Sequence, residues 1–354
     1  MRQKISYSVI YLSLGIGLLF LFLLSVGVGA VNLSYSQILN YFLNFFGLKS
    51  GDGINKIYEG LFLQIRLPRT ILCMLSGAIL SVCGAMMQSL FRNPIVEPGL
   101  IGTSSGAALG ASLVFVFGKI AFFSHFAFLG NFLLPFMAFV GGLSATLLVY
   151  RISSSFGKVN ITSMLLAGIA VNAIAAAGVG FLSYIARDPQ ARSITFWNLG
   201  TYSGADWPSV CILLVITITG IFYSIRMAKA LNAFQLGETE AGYLGINTRK
   251  LKMRVIVVTA LMVSVATAMT GVISFVGLIV PHILRLIKGS DNRYLIIGSA
   301  LLGAIVTALA DMLARIIIAP AEMPVGIITA FVGAPLFLWL LIRNSRKGKG
   351  NFYA

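Results

Sequence analysis

"RLPRTILCMLSGAILSVCGAMMQSLF", residues 66–91, places two arginines one helical turn apart and then carries no charge until Arg92. An uncharged apolar run of this length spans a bilayer, for which about 20 residues suffice. It lacks the alternation of a barrel strand, and lipid offers backbone groups no partners, so the run is read as a helix. Pro68 is tolerated in a first helical turn, which puts the start near Leu67. Spacing of three then sets Arg66 and Arg69 on the same side of the helix mouth.

The rest of the chain matches this reading. The 354 residues are 58% hydrophobic and 10% charged, with mean hydropathy +0.93. That composition belongs to a polytopic membrane protein. We read an all-α single transmembrane domain over 1–354, with about ten spans near 8–31, 68–90, 101–118, 131–150, 161–185, 207–225, 254–273, 275–289, 294–318 and 322–342. The eighth is short for a bilayer and reads as a half or broken helix. The first follows Arg2 and Lys4, and its apolar run exceeds the roughly 7–15 residues of a signal-peptide core, so it reads as a retained anchor.

Ten spans put both termini on one side, and the positive-inside rule makes that side the cytoplasm. Of the 26 Lys and Arg residues, only Lys49, Lys56, Arg66, Arg69, Lys119, Arg187, Arg192 and Arg315 then lie outside. The net charge of +16 is therefore mostly topology and needs no nucleic acid to explain it. Arg66, Arg69 and Arg315 are exceptions at the outer ends of spans, with Asp311 one turn before Arg315. One reading is snorkelling for the first two and an internal Asp311–Arg315 pair. The other is an exposed cationic patch that docks an acidic partner.

The loops add further signals. In "LFRNPIVEPGLIGTSSGAALG" (90–110), Asn93, Pro94 and Pro98 interrupt the helix. Irregular backbone at the membrane edge must be buried in protein or line a cavity. Gly102, Gly106 and Gly110 recur every four residues, a face for close helix packing. "KVNITSMLLAG" (158–168) opens the fifth span with another polar break. The longest inner loop, 226–253, mixes Glu238 and Glu240 with a basic end, and Gly237, Gly242 and Gly245 punctuate two short helical segments. Its length among tight turns marks a docking surface.

Several chemistries are missing from the sequence. No G-x-x-x-x-G-K-[ST] phosphate loop occurs. His125 and His282 are too few for a metal cluster, and Cys73, Cys83 and Cys211 lie in apolar runs without ligand spacing. No Ser/His/Asp grouping occurs, and only Asp311 and Glu322 could serve as intramembrane carboxylates. We expect no metal, no cofactor and no enzymatic activity, so active transport needs an engine on another subunit.

Residues 66–111, "FWNLGTYSGADW" (196–207), "GVISFVGLIVPHILRLIKGSDNRYLI" (271–296) and "ALADMLARIIIAPAEMPVGIITAFVGAPLFLWLL" (308–341) resemble the FecCD-type permeases. These are membrane subunits of ABC importers for iron siderophores, haem and cobalamin. The resemblance runs from about 60 to 343. It implies a ten-helix subunit that pairs with a second permease copy, usually as a homodimer, with its pathway along the two-fold axis. Its partners would be two copies of a cytosolic ATPase and a periplasmic or lipid-anchored substrate-binding protein. Glutamates of that binding protein would meet Arg66, Arg69 and Arg315. Asn93, Ile95, Thr162 and Ser163 match the cytoplasmic gate. The segment holding Gly237, Glu238, Glu240, Gly242 and Gly245 matches the loop that couples to the ATPases.

The expected function is import of an iron chelate, haem or a ferric siderophore, by alternating access. Cobalamin is the second substrate class, with oxyanions behind it. A secondary transporter should carry inward carboxylates or ion ligands in discontinuous helices. This sequence holds few of them.

Overall fold

The computed structural model describes residues 6–29, 35–45, 56–118, 127–155 and 158–346. His125, Lys49 and Lys119 lie outside these. Among the described residues the elements are helical, apart from a two-residue antiparallel pairing of Ser154–Ser155 with Lys158–Val159. The described residues hold fourteen α-helices, in order α1 (Tyr7–Gly27), α2 (Tyr35–Phe45), α3 (Lys56–Gly60), α4 (Leu67–Phe91), α5 (Thr103–Phe117), α6 (Leu133–Ser153) and α7 (Ile161–Ile185). They continue with α8 (Gln190–Asn198), α9 (Trp207–Leu236), α10 (Glu238–Tyr243), α11 (Thr248–Thr270), α12 (Val276–Lys288), α13 (Asn292–Ile316) and α14 (Val325–Arg346).

Among the described residues, seven helical stretches are long and apolar enough to cross a membrane: Tyr7–Gly27, Lys56–Phe91, Leu129–Ser153, Ile161–Ile185, Trp207–Leu236, Thr248–Thr270 and Asn292–Ile316. The other three expected spans fall on α5, α12 and α14, of which α5 and α12 are only 15 and 13 residues long. A break explains the short α12. Gly271 takes φ 72° and Phe275 takes φ 68°, so the chain leaves α11 and re-enters helix five residues later.

The core forms around α4, which is buried along almost its whole length. It packs against α13, α9, α12 and α11. Lipid is as apolar as leucine, so close approach of backbones must supply the attraction between spans. Gly77 and Gly303 face each other at the α4–α13 crossing, where a methyl on either would strike the other's carbonyl oxygen. Gly106 of α5 and Gly141 of α6 repeat this, and Gly110 lies on Met137. Gly102 departs from the expected packing face: it precedes α5 at φ 91° and turns the chain into that helix.

Polar side chains inside the bundle repair broken backbone. Pro281 has no N–H, so Gly277 O, four residues earlier, loses its helical donor. Gln88 of α4 donates to Gly277 O at 3.2 Å and to Leu278 O at 3.1 Å. Arg285 in turn donates to Gln88 Oε1. His282, on the same short helix, is half-buried, and its Nε2 makes no hydrogen bond.

Candidate functional site

The arginine cluster is built where α1 ends beside the mouth of α4 and the last turns of α13. A helix end leaves four carbonyls without intrahelical partners, at the negative pole of its dipole. Arg66 Nη1 donates to Val26 O (3.0 Å) and Gly27 O (2.8 Å) at the end of α1. Arg315 Nη1 donates to Ser25 O (3.1 Å) and Val28 O (2.8 Å), and its Nη2 reaches Ser25 Oγ at 2.8 Å. Two guanidinium groups thus cap a single helix.

Arg69 is clasped by carboxylates. Its Nε and Nη2 lie 3.0 and 2.9 Å from Asp311 Oδ1, and its Nη1 lies 2.8 Å from both oxygens of Glu322. Arg315 Nε sits 3.1 Å from Asp311 Oδ2. That approach is off hydrogen-bond alignment, and the Nε–H points instead at Asp311 O, 3.4 Å away.

This corrects the expectation of an exposed cationic patch. Arg66, Arg69 and Arg315 are 5%, 6% and 6% exposed, and all three are committed to internal partners. The internal Asp311–Arg315 pair is present, and it includes Arg69 and Glu322 as well. The Glu322 side chain, 45% exposed, is the open edge of the cluster.

At the other end of α4, Arg92 adopts φ 48° and stops the helix. Asn93 Oδ1 then accepts from Ile95 N at 3.0 Å, turning the chain so that Ile95 points outward, 39% exposed. Thr162 and Ser163 lie exposed in the first turn of α7, and Asn160 caps that turn by accepting from Ser163 N at 3.1 Å. Among the described residues no hydrogen bond joins Asn93 or Ile95 to Thr162 or Ser163.

Between these segments lies a residue that sequence reasoning passed over. Glu97 Oε1 accepts from Phe275 N at 2.9 Å, so one carboxylate ties the break after α4 to the start of α12. A charge beside two prolines was the available signal. Burial pushes this carboxyl up to about 7, and the Phe275 N–H offsets part of that rise. Glu97 also lines a cavity of about 400 Å³ with Ser104, Ser105, Asn172, Asn198 and Ser274. Asn172 bridges its wall, donating to Gly99 O and Leu100 O at 3.4 Å and accepting from Ser105 Oγ.

The expected long inner loop is mostly helix. α9 continues to Leu236 and α11 begins at Thr248, so the one short helix inside it is α10. Gly237 (φ 152°) and Gly245 (φ 78°) take backbone conformations that side chains resist, and they fold α10 back between the two long helices. Glu238 accepts from Lys252 Nζ at 2.7 Å and from Thr248 Oγ1 at 3.3 Å, bracing α10 on α11. Tyr243 and Leu244 protrude, 86% and 63% exposed, while Glu240 and Gly242 are also open to solvent. This braced, charged turn therefore holds two large apolar side chains out in the open.

A bundle of long apolar helices, broken beside a cavity that polar side chains help line, fits the class of membrane transport subunits. The FecCD transport family model matches residues 17–343, and the chain belongs to that family. The hemin transport system permease protein HmuU of Yersinia pestis is 38% identical over 328 residues, 91% of this chain and 92% of that protein. The vitamin B12 import system permease protein BtuC of Salmonella paratyphi A is also 38% identical, over 84% of this chain and 88% of its own length. A solved structure described as an inward-facing, metal-chelate type ABC transporter aligns with TM-score 0.80 and 29% identity, covering 94% of this chain and 99% of that one.

Proposed function

We propose that this chain is the membrane-spanning subunit of an ATP-driven importer of metal chelates, with haem as its leading substrate. The observation that carries the reading is the 38% identity to a hemin permease across 91% of the chain. Equal identity to a vitamin B12 permease, over a shorter span, supports cobalamin as the second reading. Ten crossings with both termini cytoplasmic, and a pathway completed by a second copy of the chain, belong to this proposal. The cavity of about 400 Å³ is small for a macrocycle, which favours a pathway shared between two copies.

In this reading Asn93, Ile95, Thr162 and Ser163 form the inner gate, and α10 with Gly237, Glu238, Glu240, Gly242 and Gly245 engages a cytosolic ATPase. A binding protein delivers substrate to the outer face framed by Arg66, Arg69 and Arg315. Their burial alters how such docking works. Arg69 is already paired, so a partner's carboxylate reaches it by displacing Glu322.

The test is uptake into proteoliposomes holding the permease, its ATPase and its binding protein, with haem or cobalamin supplied. ATP-dependent haem accumulation, with no hydrolysis by the permease alone, is the expected result. Accumulation driven by an ion gradient without the ATPase would overturn the reading.

A further inference from the structure

A second cavity, of about 650 Å³, is lined by α9 and α11 and by none of Asn93, Ile95, Thr162 and Ser163. Its lining is mainly apolar and includes buried Gly220 with Val257 and Leu261, together with the exposed Tyr223, Arg226 and Arg254. Arg226 follows Trp207 by 19 residues and Arg254 precedes Thr270 by 16 (226 − 207 and 270 − 254). At about 1.5 Å per residue, each arginine sits roughly 24–29 Å from the far end of its own helix, close to one hydrocarbon thickness. Two separate helices therefore bring an arginine to the same membrane boundary, on either side of one apolar groove.

Neither arginine has a carboxylate partner among the described residues. Arg226 lines this cavity and lies over the Phe222 ring, 4.3 Å from its centroid. Both side chains are exposed. Paired cations at the edge of hydrocarbon, above a slot for alkyl chain, complement one kind of molecule: an anion with an apolar tail. The volume falls within the roughly 300–1,000 Å³ of small-ligand sites.

We propose that this groove binds an anionic phospholipid, its phosphate between Arg226 and Arg254 and an acyl chain along Val257 and Leu261. The bound lipid clamps α9 to α11, the two helices that lead into and out of α10, and so stiffens the base of that short helix.

The test is native mass spectrometry of the purified permease titrated with phosphatidylglycerol or phosphatidylcholine of the same acyl composition, together with thermal unfolding. Wild type should retain phosphatidylglycerol at least tenfold better than phosphatidylcholine and gain thermal stability from it. Arg226→Gln/Arg254→Gln should lose that preference, whereas Arg151→Gln, an exposed arginine at the end of α6, should keep it. Leu261→Trp fills the slot with both arginines in place and should also lose retention, which covers the case of a double variant that fails to fold. Equal retention of the two lipids by wild type would overturn the proposal. So would wild-type retention in either groove variant, or protection by inorganic phosphate equal to that by phosphatidylglycerol.

Discussion

Arg69 Nη2 lies 2.9 Å from Asp311 Oδ1, joining the first turn of α4 to the C-terminal part of α13 across 242 positions of sequence. Asp311 is 1% exposed and faces two guanidinium groups, those of Arg69 and Arg315. Asp311 is thus the buried carboxylate that two of the cluster's three guanidinium groups share.

Asp311→Ala should be the most destabilising change in this cluster. It leaves two buried cations facing each other, and breaking a buried pair from one side costs about 3–5 kcal/mol. Thermal unfolding in detergent or nanodiscs measures it. A melting temperature within a degree or two of wild type would mean that the cluster contributes little.

Glu322→Gln should separate scaffolding from docking. Its pair with Arg69 is half open to solvent, so its loss should cost no more than about 1 kcal/mol. If a partner's carboxylate takes that place on Arg69, the variant should bind its binding protein more tightly than wild type, and the gain should shrink with salt. Unchanged affinity at low salt argues that docking bypasses Arg69. Reversing Arg66, Arg69 and Arg315 together to Glu should fail earlier, at folding, because carboxylates would then face Asp311 and the carbonyls of α1.

Gly242 and Gly245 should respond differently to bulk. A Cβ at Gly242 meets no atom within 4 Å, so Gly242→Trp should fold normally and lose ATPase stimulation. Gly245 holds φ 78°, where a β-branched residue is strained by about 1–3 kcal/mol, so Gly245→Val should also lower thermal stability. Equal ATPase coupling in Gly242→Trp and wild type would remove α10 from the ATPase contact.

Glu97 should make stability depend on pH. Its folded value near 7 lies above the ordinary 4.5, so its contribution is full below 4.5 and is lost as pH rises through about 7. Gln at this position keeps an acceptor for the Phe275 N–H and cannot ionise. Wild type should therefore lose melting temperature relative to Glu97→Gln between about pH 5 and pH 8. Parallel curves for the two proteins would refute the assignment.

Much of this protein was legible in one dimension. Uncharged runs of bilayer length dictate helices, because backbone in lipid must bond to itself, and the family blocks lie in the same linear order in which they are read. The short eighth span and the irregular stretch around Asn93 were visible too, since Gly and Pro punctuate the chain locally. The extent of the 226–253 segment was misjudged because Arg, Lys and Glu continue a helix in water as readily as they form a loop, and periodicity cannot tell the two apart there. What Arg66, Arg69 and Arg315 do was decided only by tertiary structure. Their partners, Ser25 to Val28, Asp311 and Glu322, come from helix ends far apart in sequence. A charge at a span's mouth looks the same on paper whether it faces water, a partner or a neighbouring helix terminus. Only the packing of α1 and α13 against α4 brings the unsatisfied carbonyls and carboxylates within reach of these arginines, so their burial follows from the assembled bundle and not from their spacing.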